Sequence, residues 1–133
     1  MDIDNWFNTI LQSVLSGDNE ANQEAYNSYI EVITNTPEEL ALVHFRTLST
    51  AKSEQERTLT LILLGRYFSI LRINKILLSD EFSGVVQDLI FSIYQLENLT
   101  SNDFNILSND IFLSARYFID KWEQLPELLY ELL

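Results

Sequence analysis

The sequence predicts an all-α protein built as an array of antiparallel helix pairs, and three observations predict it. Only three glycines and two prolines occur in 133 residues, too few to punctuate an all-β chain and enough for helices joined by short polar links. Apolar residues recur with a period near 3.6 between helix-start signals at Thr36, Ser53 and Ser79. The segment Ser53–Leu71 is apolar on nearly every side, as an interior helix packed by several neighbours must be.

The elements follow in order. Asp4 is read as the cap of a first helix whose Trp6, Phe7, Ile10, Leu11, Val14 and Leu15 share one face, and Ser16-Gly17-Asp18 breaks it. A second helix spans Asn19 to Ile33 with Ala21, Ala25, Tyr29 and Val32 or Ile33 inward. Thr36-Pro37-Glu38-Glu39 joins an N-cap threonine, a proline at the first helical position and glutamates in the first turn, so a third helix runs from there to Ser49. Ser53 and Glu56 form the capping box of the fourth. In it Leu61, Leu64 and Phe68 are expected to be buried, and Arg57 and Arg66 are placed together on the narrow face left free of apolar residues. The stretch Leu59–Leu64 alone also fits a strand, but Gly65-Arg66 is a poor hairpin turn and the apolar pattern runs through it. Arg72 to Leu78 reads either as a frayed extension or as a separate turn. Ser79 caps a fifth helix through Phe82, Val85, Val86, Leu89, Ile90, Ile93 and Leu96. After turn chemistry from Asn98 to Asp103, Ser108 or Asn109 starts the last long helix, with Ile111, Phe112, Ala115, Phe118, Ile119 and Trp122 inward.

These helices pair by length and link into repeats of about 4–35, 37–71 and 79–124, with starts spaced by roughly 33 and 43 residues, the range of helical-hairpin repeats. The tail Leu125–Leu133 restarts a helix at Pro126 while its apolar face is still growing, where a capping end would be polar. The chain reads as the start of a longer array.

Composition narrows the function classes. Without cysteine there is no disulfide framework or thiolate metal site, and the single His44 leaves no material for a nucleophilic triad or a zinc site. His44, in Leu42-Val43-His44-Phe45, reads as a surface or half-buried helical residue. Gly17, Gly65 and Gly84 are isolated and make no phosphate-cradling loop, and Asp18-Asn19-Glu20 lacks calcium-loop spacing. Catalysis, metals and cofactors are therefore not expected. A formal charge of −12 argues against nucleic acid and anionic membranes and favours basic partners. The acidic start MDIDNWF is unlike a basic leader, and no apolar run approaches the roughly 20 residues of a membrane span. Six of the eight basic residues fall between Arg46 and Lys75, which concentrates any cationic face in the middle of the chain.

Three pieces resemble the amino-terminal HEAT repeats of the importin-β (karyopherin-β) family of nuclear transport receptors: Ile10–Ile30, with its helix, S-x-D-N turn and alanine-rich second helix; Ser53–Ser69; and LPELLYELL at Leu125–Leu133. The departures are Leu125 for the family's tryptophan, Tyr130 for a frequent second proline, Gly65 at a usually basic position, and Ala21 and Asn22 at others often basic. The resemblance implies a right-handed α-solenoid of about three HEAT-like pairs plus the start of a fourth. It also implies binding of the small GTPase Ran in its GTP form, basic protein cargo, and a life in cytoplasm and nucleus. The residues it assigns to a Ran-like partner are Arg57 and Arg66 with Glu24 and Arg116 on neighbouring faces. The alternatives from the residues themselves are that the arginines pair locally, with Glu54 or Glu56, and that the chain is a helical scaffold with no nucleotide-gated switch.

Overall fold

A computed structural model describes residues 2–96 and 99–121, the last two by backbone alone, and Trp122 and the tail Leu125–Leu133 lie outside the described residues. Six α-helices follow one another: α1 (Ile3–Leu15), α2 (Asn19–Asn35), α3 (Pro37–Thr50), α4 (Glu54–Ile73), α5 (Asp80–Ile93) and α6 (Ser101–Lys121). No strand occurs among the described residues, so Leu59–Leu64 is helical.

Helix starts are fixed by oxygen atoms that meet orphan backbone N–H groups. The cap of α1 is Asp2, not Asp4. Asp2 Oδ1 accepts from Asp4 N at 3.1 Å and Asn5 N at 3.3 Å, which frees Asp4 to pair with Arg46 of α3 at 3.2 Å. Asp18 caps α2, directly after Gly17, whose φ of 75° only glycine adopts without strain. Thr36 does not cap α3: its Oγ1 donates back to Val32 O at 3.1 Å. It stands between two helices and closes the carbonyl end of α2, leaving Pro37, Glu38 and Glu39 to start α3. Ser53 Oγ accepts from Glu56 N, the serine half of the predicted capping box, and Ser79 Oγ accepts from Phe82 N, as the sequence predicts.

The ambiguous link after α4 is a Schellman turn. Ile76 N donates to Leu71 O, Lys75 N donates to Arg72 O, and Lys75 takes the left-handed φ of 55° that glycine usually supplies. The last helix begins at Ser101 rather than at Ser108 or Asn109. Thr100 and Asp103 make a reciprocal capping box there, Asp103 N donating to Thr100 Oγ1 at 3.0 Å and Thr100 N to Asp103 Oδ2 at 3.1 Å.

The helices pack sequentially, α1 on α2, α2 on α3 and α3 on α4, and α4 makes its most extensive contact with α6. This six-helix arrangement is consistent with a stacked helical repeat. The α4–α6 contacts advance in the same chain sense: Arg57 meets Asp103, Gly65 lies against Asp110, and Phe68 packs on Tyr117 and Phe118. The α1–α3 contacts run in the opposite sense, Phe7 against His44 and Asp4 against Arg46. Like-sense stacking is therefore seen for α4 on α6 and not for α1 on α3. α5 rests on α3, where Ser79 Oγ donates to Glu38 Oε1. It lies looser against α6, leaving an apolar groove lined by Ile90, Phe91, Ile111, Phe118 and Ile119.

Leu61, Leu64 and Phe68 are fully buried, as expected of an interior helix. A row of rings crosses the molecule from Phe7 through His44, Tyr67 and Phe68 to Phe118, with successive centroids 4.9 to 6.2 Å apart. The face of α6 is the main correction. Of the described residues read as inward, Phe112 is 56% exposed, Ala115 and Ile119 are also exposed, Ile111 is half-buried against the core, and only Phe118 is buried. The buried stripe is Asp103, Leu107, Asp110, Ser114 and Tyr117, a clean three-to-four spacing with three polar members.

Candidate protein-binding face along α4 and α6

The four residues assigned from sequence do not form one patch. Nine positions are two and a half turns, half a turn out of phase, so Arg57 and Arg66 flank the α6-facing strip of α4 from opposite sides rather than sharing a face. Arg57 is committed to the fold. Its Nε donates to Asp103 Oδ2 at 3.0 Å, with the two side chains 13% and 0% exposed. Its partner is thus Asp103 on α6, not Glu54 or Glu56. Asp103 Oδ1 also accepts from Thr58 Oγ1 at 2.7 Å. Burial by itself would raise the Asp103 pKa. The hydrogen bonds from Thr58, Thr100 and Arg57 outweigh it and hold the carboxyl below its ordinary value.

Two turns on, α4 and α6 approach closely at Gly65. A Cβ there would run into Asp110 Oδ1 and come within 3.3 Å of Leu113 Cδ1, so the absence of a side chain is what admits the Asp110 carboxyl. Asp110 is 1% exposed and its Oδ2 has no hydrogen-bond partner among the described residues. Burial pushes its pKa up to about 8. Above it opens a groove of about 420 Å³ whose walls include Ile62, Arg66, Asn105, Asn109 and Leu113. Arg66 is exposed on this rim and makes no ion pair among the described residues. Arg116, exposed two turns along α6 from Asn109, has its guanidinium 5.8 Å from the centre of the Phe112 ring. Glu24 is exposed on α2 and is not part of the groove's lining.

His44 is wholly buried, contrary to the surface reading. Its Nδ1 donates to Leu40 O at 2.7 Å, and Tyr29 Oη lies 2.6 Å from Nε2 and 2.9 Å from Leu63 O. Burial lowers the His44 pKa to about 4, so the ring is neutral. The sequence signal that locates it is the row Leu40, His44, Leu48 on one helix face. Asp103 and Asp110 gave no such signal, since a carboxylate seven residues from another reads as a solvated face.

Among the described residues no group of three His, Asp or Glu side chains is placed to hold a metal ion. No helix there is long and apolar enough to cross a membrane. Comparisons with family models, curated proteins and solved structures find no match to this chain.

Proposed function

We infer that the chain acts by binding other proteins rather than by catalysis. In its specific form it is the amino-terminal part of a nuclear transport receptor of the importin-β kind, moving between cytoplasm and nucleus, holding Ran in its GTP form and carrying basic cargo. The observation that supports this reading is the like-sense stacking of α4 on α6. Second helices stacked in that way line one continuous face of a helical array, and the three resembling segments fall in the order such an array requires. On that face Arg66 and Arg116 are exposed and offer forked donors to a partner's carboxylates. Arg57 acts indirectly, by fixing α6.

The test is titration of Ran loaded with a non-hydrolysable GTP analogue, with Ran-GDP as control, against wild type and an Arg66→Glu, Arg116→Glu variant checked by circular dichroism. GTP-selective binding that the variant loses supports the receptor reading. Equal binding of both nucleotide forms, or none, removes it. A scaffold without a nucleotide-gated switch is the second reading. It is favoured by the apolar α5–α6 groove, where Phe91 is 65% exposed and a nucleotide-indifferent protein segment would bury it.

A further inference from the structure

Asp110 poses a question the fold does not answer. Buried carboxylates are kept where they cap a helix, pair with a cation or bind something. Asp103, seven residues earlier on the same stripe, does the first two at once. Asp110 does neither: it sits mid-helix, 1% exposed, with Oδ2 unsatisfied. It is seated at the floor of an open groove by a glycine whose replacement would exclude it. Packing does not require the carboxyl, since a leucine on α6 could fill the same strip, as Leu107 does one turn earlier.

We propose that the α4–α6 groove is a seat for a single arginine or lysine side chain of a partner protein, with the buried Asp110 carboxylate as its counter-charge and Arg66 holding an acidic residue beside it. The groove matches that occupant part by part. Ile62 and Leu113 line the path of an aliphatic stem, Asn105 and Asn109 supply amide oxygens for the remaining N–H donors, and Asp110, releasing its proton to solvent as the cation enters, takes the charge. Arg66 sets the sequence selectivity. A polybasic segment would bring further cations against its exposed guanidinium, whereas a segment with one cation and an acid a residue or two away satisfies both charges. The net charge of −12 draws cationic groups toward the molecule in general. Among the described residues two buried side-chain acceptors are unsatisfied, the neutral amide oxygen of Asn22 and Asp110 Oδ2, and only the second can carry a counter-charge. The proposal rests on the protein-binding reading and not on Ran as the partner.

The test uses the full chain, labelled with nitrogen-15, and three short probes. These are acetyl-Gly-Arg-Gly-Glu-Gly-amide, the same peptide with neutral citrulline for arginine, and tetralysine. The expected result is amide shifts confined to residues 62–69 and 105–113 with the arginine peptide, with affinity at least tenfold weaker for the citrulline peptide and for tetralysine. Asp110→Asn, which keeps the side chain's shape, should weaken the arginine peptide at least tenfold, while Asp88→Asn on the exposed face of α5 should leave it unchanged. The arginine-to-citrulline comparison needs no variant, so it stands even where Asp110→Asn alters the fold. Tetralysine binding as tightly as the mixed peptide, shifts spread over the whole acidic surface, no shifts in the groove, or equal binding by Asp110→Asn would each overturn the proposal. Because the probes contain no GTPase, a failed Ran titration leaves this result untouched, and a failed peptide titration leaves Ran binding untouched.

Discussion

Two buried titratable groups pull the stability of this protein in opposite directions, and their difference is measurable. Asp110 has its folded pKa raised from 3.8 to about 8. Between those values the folded chain binds a proton that the unfolded chain does not, so this group's contribution is lost as pH rises. His44 has its folded pKa lowered from 6.5 to about 4. Across that interval the unfolded chain binds the extra proton, so stability rises with pH. Each slope is about 1.4 kcal/mol per pH unit. From pH 4 to 6.5 they cancel and stability is flat. Above 6.5 only Asp110 titrates, and wild type should lose about 2 kcal/mol by pH 8. Asp110→Asn should remove that fall and unmask the His44 slope, so the variant gains about 3 kcal/mol from pH 4 to 6.5 and then levels off. The assay is urea unfolding followed by circular dichroism at half-unit pH steps, with constant ionic strength and the slope m checked for constancy. Wild-type stability that stays level from pH 6.5 to 8.5, or an Asp110→Asn profile parallel to wild type, would refute the assignment of a buried, uncompensated carboxyl to this position.

Three further outcomes follow from the packing. Gly65→Ala should destabilise by about 1 to 3 kcal/mol, as overpacking does, because the new methyl meets the Asp110 carboxyl and Leu113; thermal unfolding of Gly65→Ala beside Gly84→Ala, where nothing lies within 4 Å, separates the clash from ordinary helix propensity. Asp103→Ala should cost about 3 to 5 kcal/mol, since it strands Arg57 and removes the box that starts α6; a loss below about 1 kcal/mol would mean the pair is no better than a surface one. Leu64→Ala, at 0% exposure, should cost about 2 to 5 kcal/mol in chemical denaturation, and a loss under about 0.5 would deny α4 its interior position.

The parts of the fold legible in the sequence are those governed by local chemistry. Ser53 and Ser79 hold their backbone N–H groups as their positions predict, and the apolar surround of α4 predicts its burial. Where one residue serves two elements, local reading fails. Thr36 could cap α3 or close α2, and the choice depends on how the two helices meet. The link after α4 was ambiguous because its turn puts a lysine, not a glycine, at the left-handed position, where the hydrogen bonds of Ile76 and Lys75 to the last turn offset the strain. Asp4 lost its capping role to Asp2 for want of any sequence cue that Arg46 would claim it.

Reading α6 by hydrophobicity chose the wrong face, and the physical reason leads to the candidate site. Phe112, Ala115 and Ile119 make the more apolar stripe, so a transfer-energy argument turns them inward. The stripe actually buried carries Asp103, Asp110 and Ser114, and a helix turns polar groups inward only when something there repays their desolvation. For Asp103 the repayment is visible in Arg57, Thr58 and Thr100. For Ser114 it is the Ile111 carbonyl at 2.8 Å. For Asp110 Oδ2 no such partner is found among the described residues. A pattern of capping, ion pairing and hydrogen bonding that accounts for every inward polar group of the α6 stripe except one isolates that one as the place where this helix answers to something other than its own fold. Gly65 supports the same conclusion from the facing helix: a glycine inside α4 costs about 1 kcal/mol relative to alanine, and what it admits is the Asp110 carboxyl.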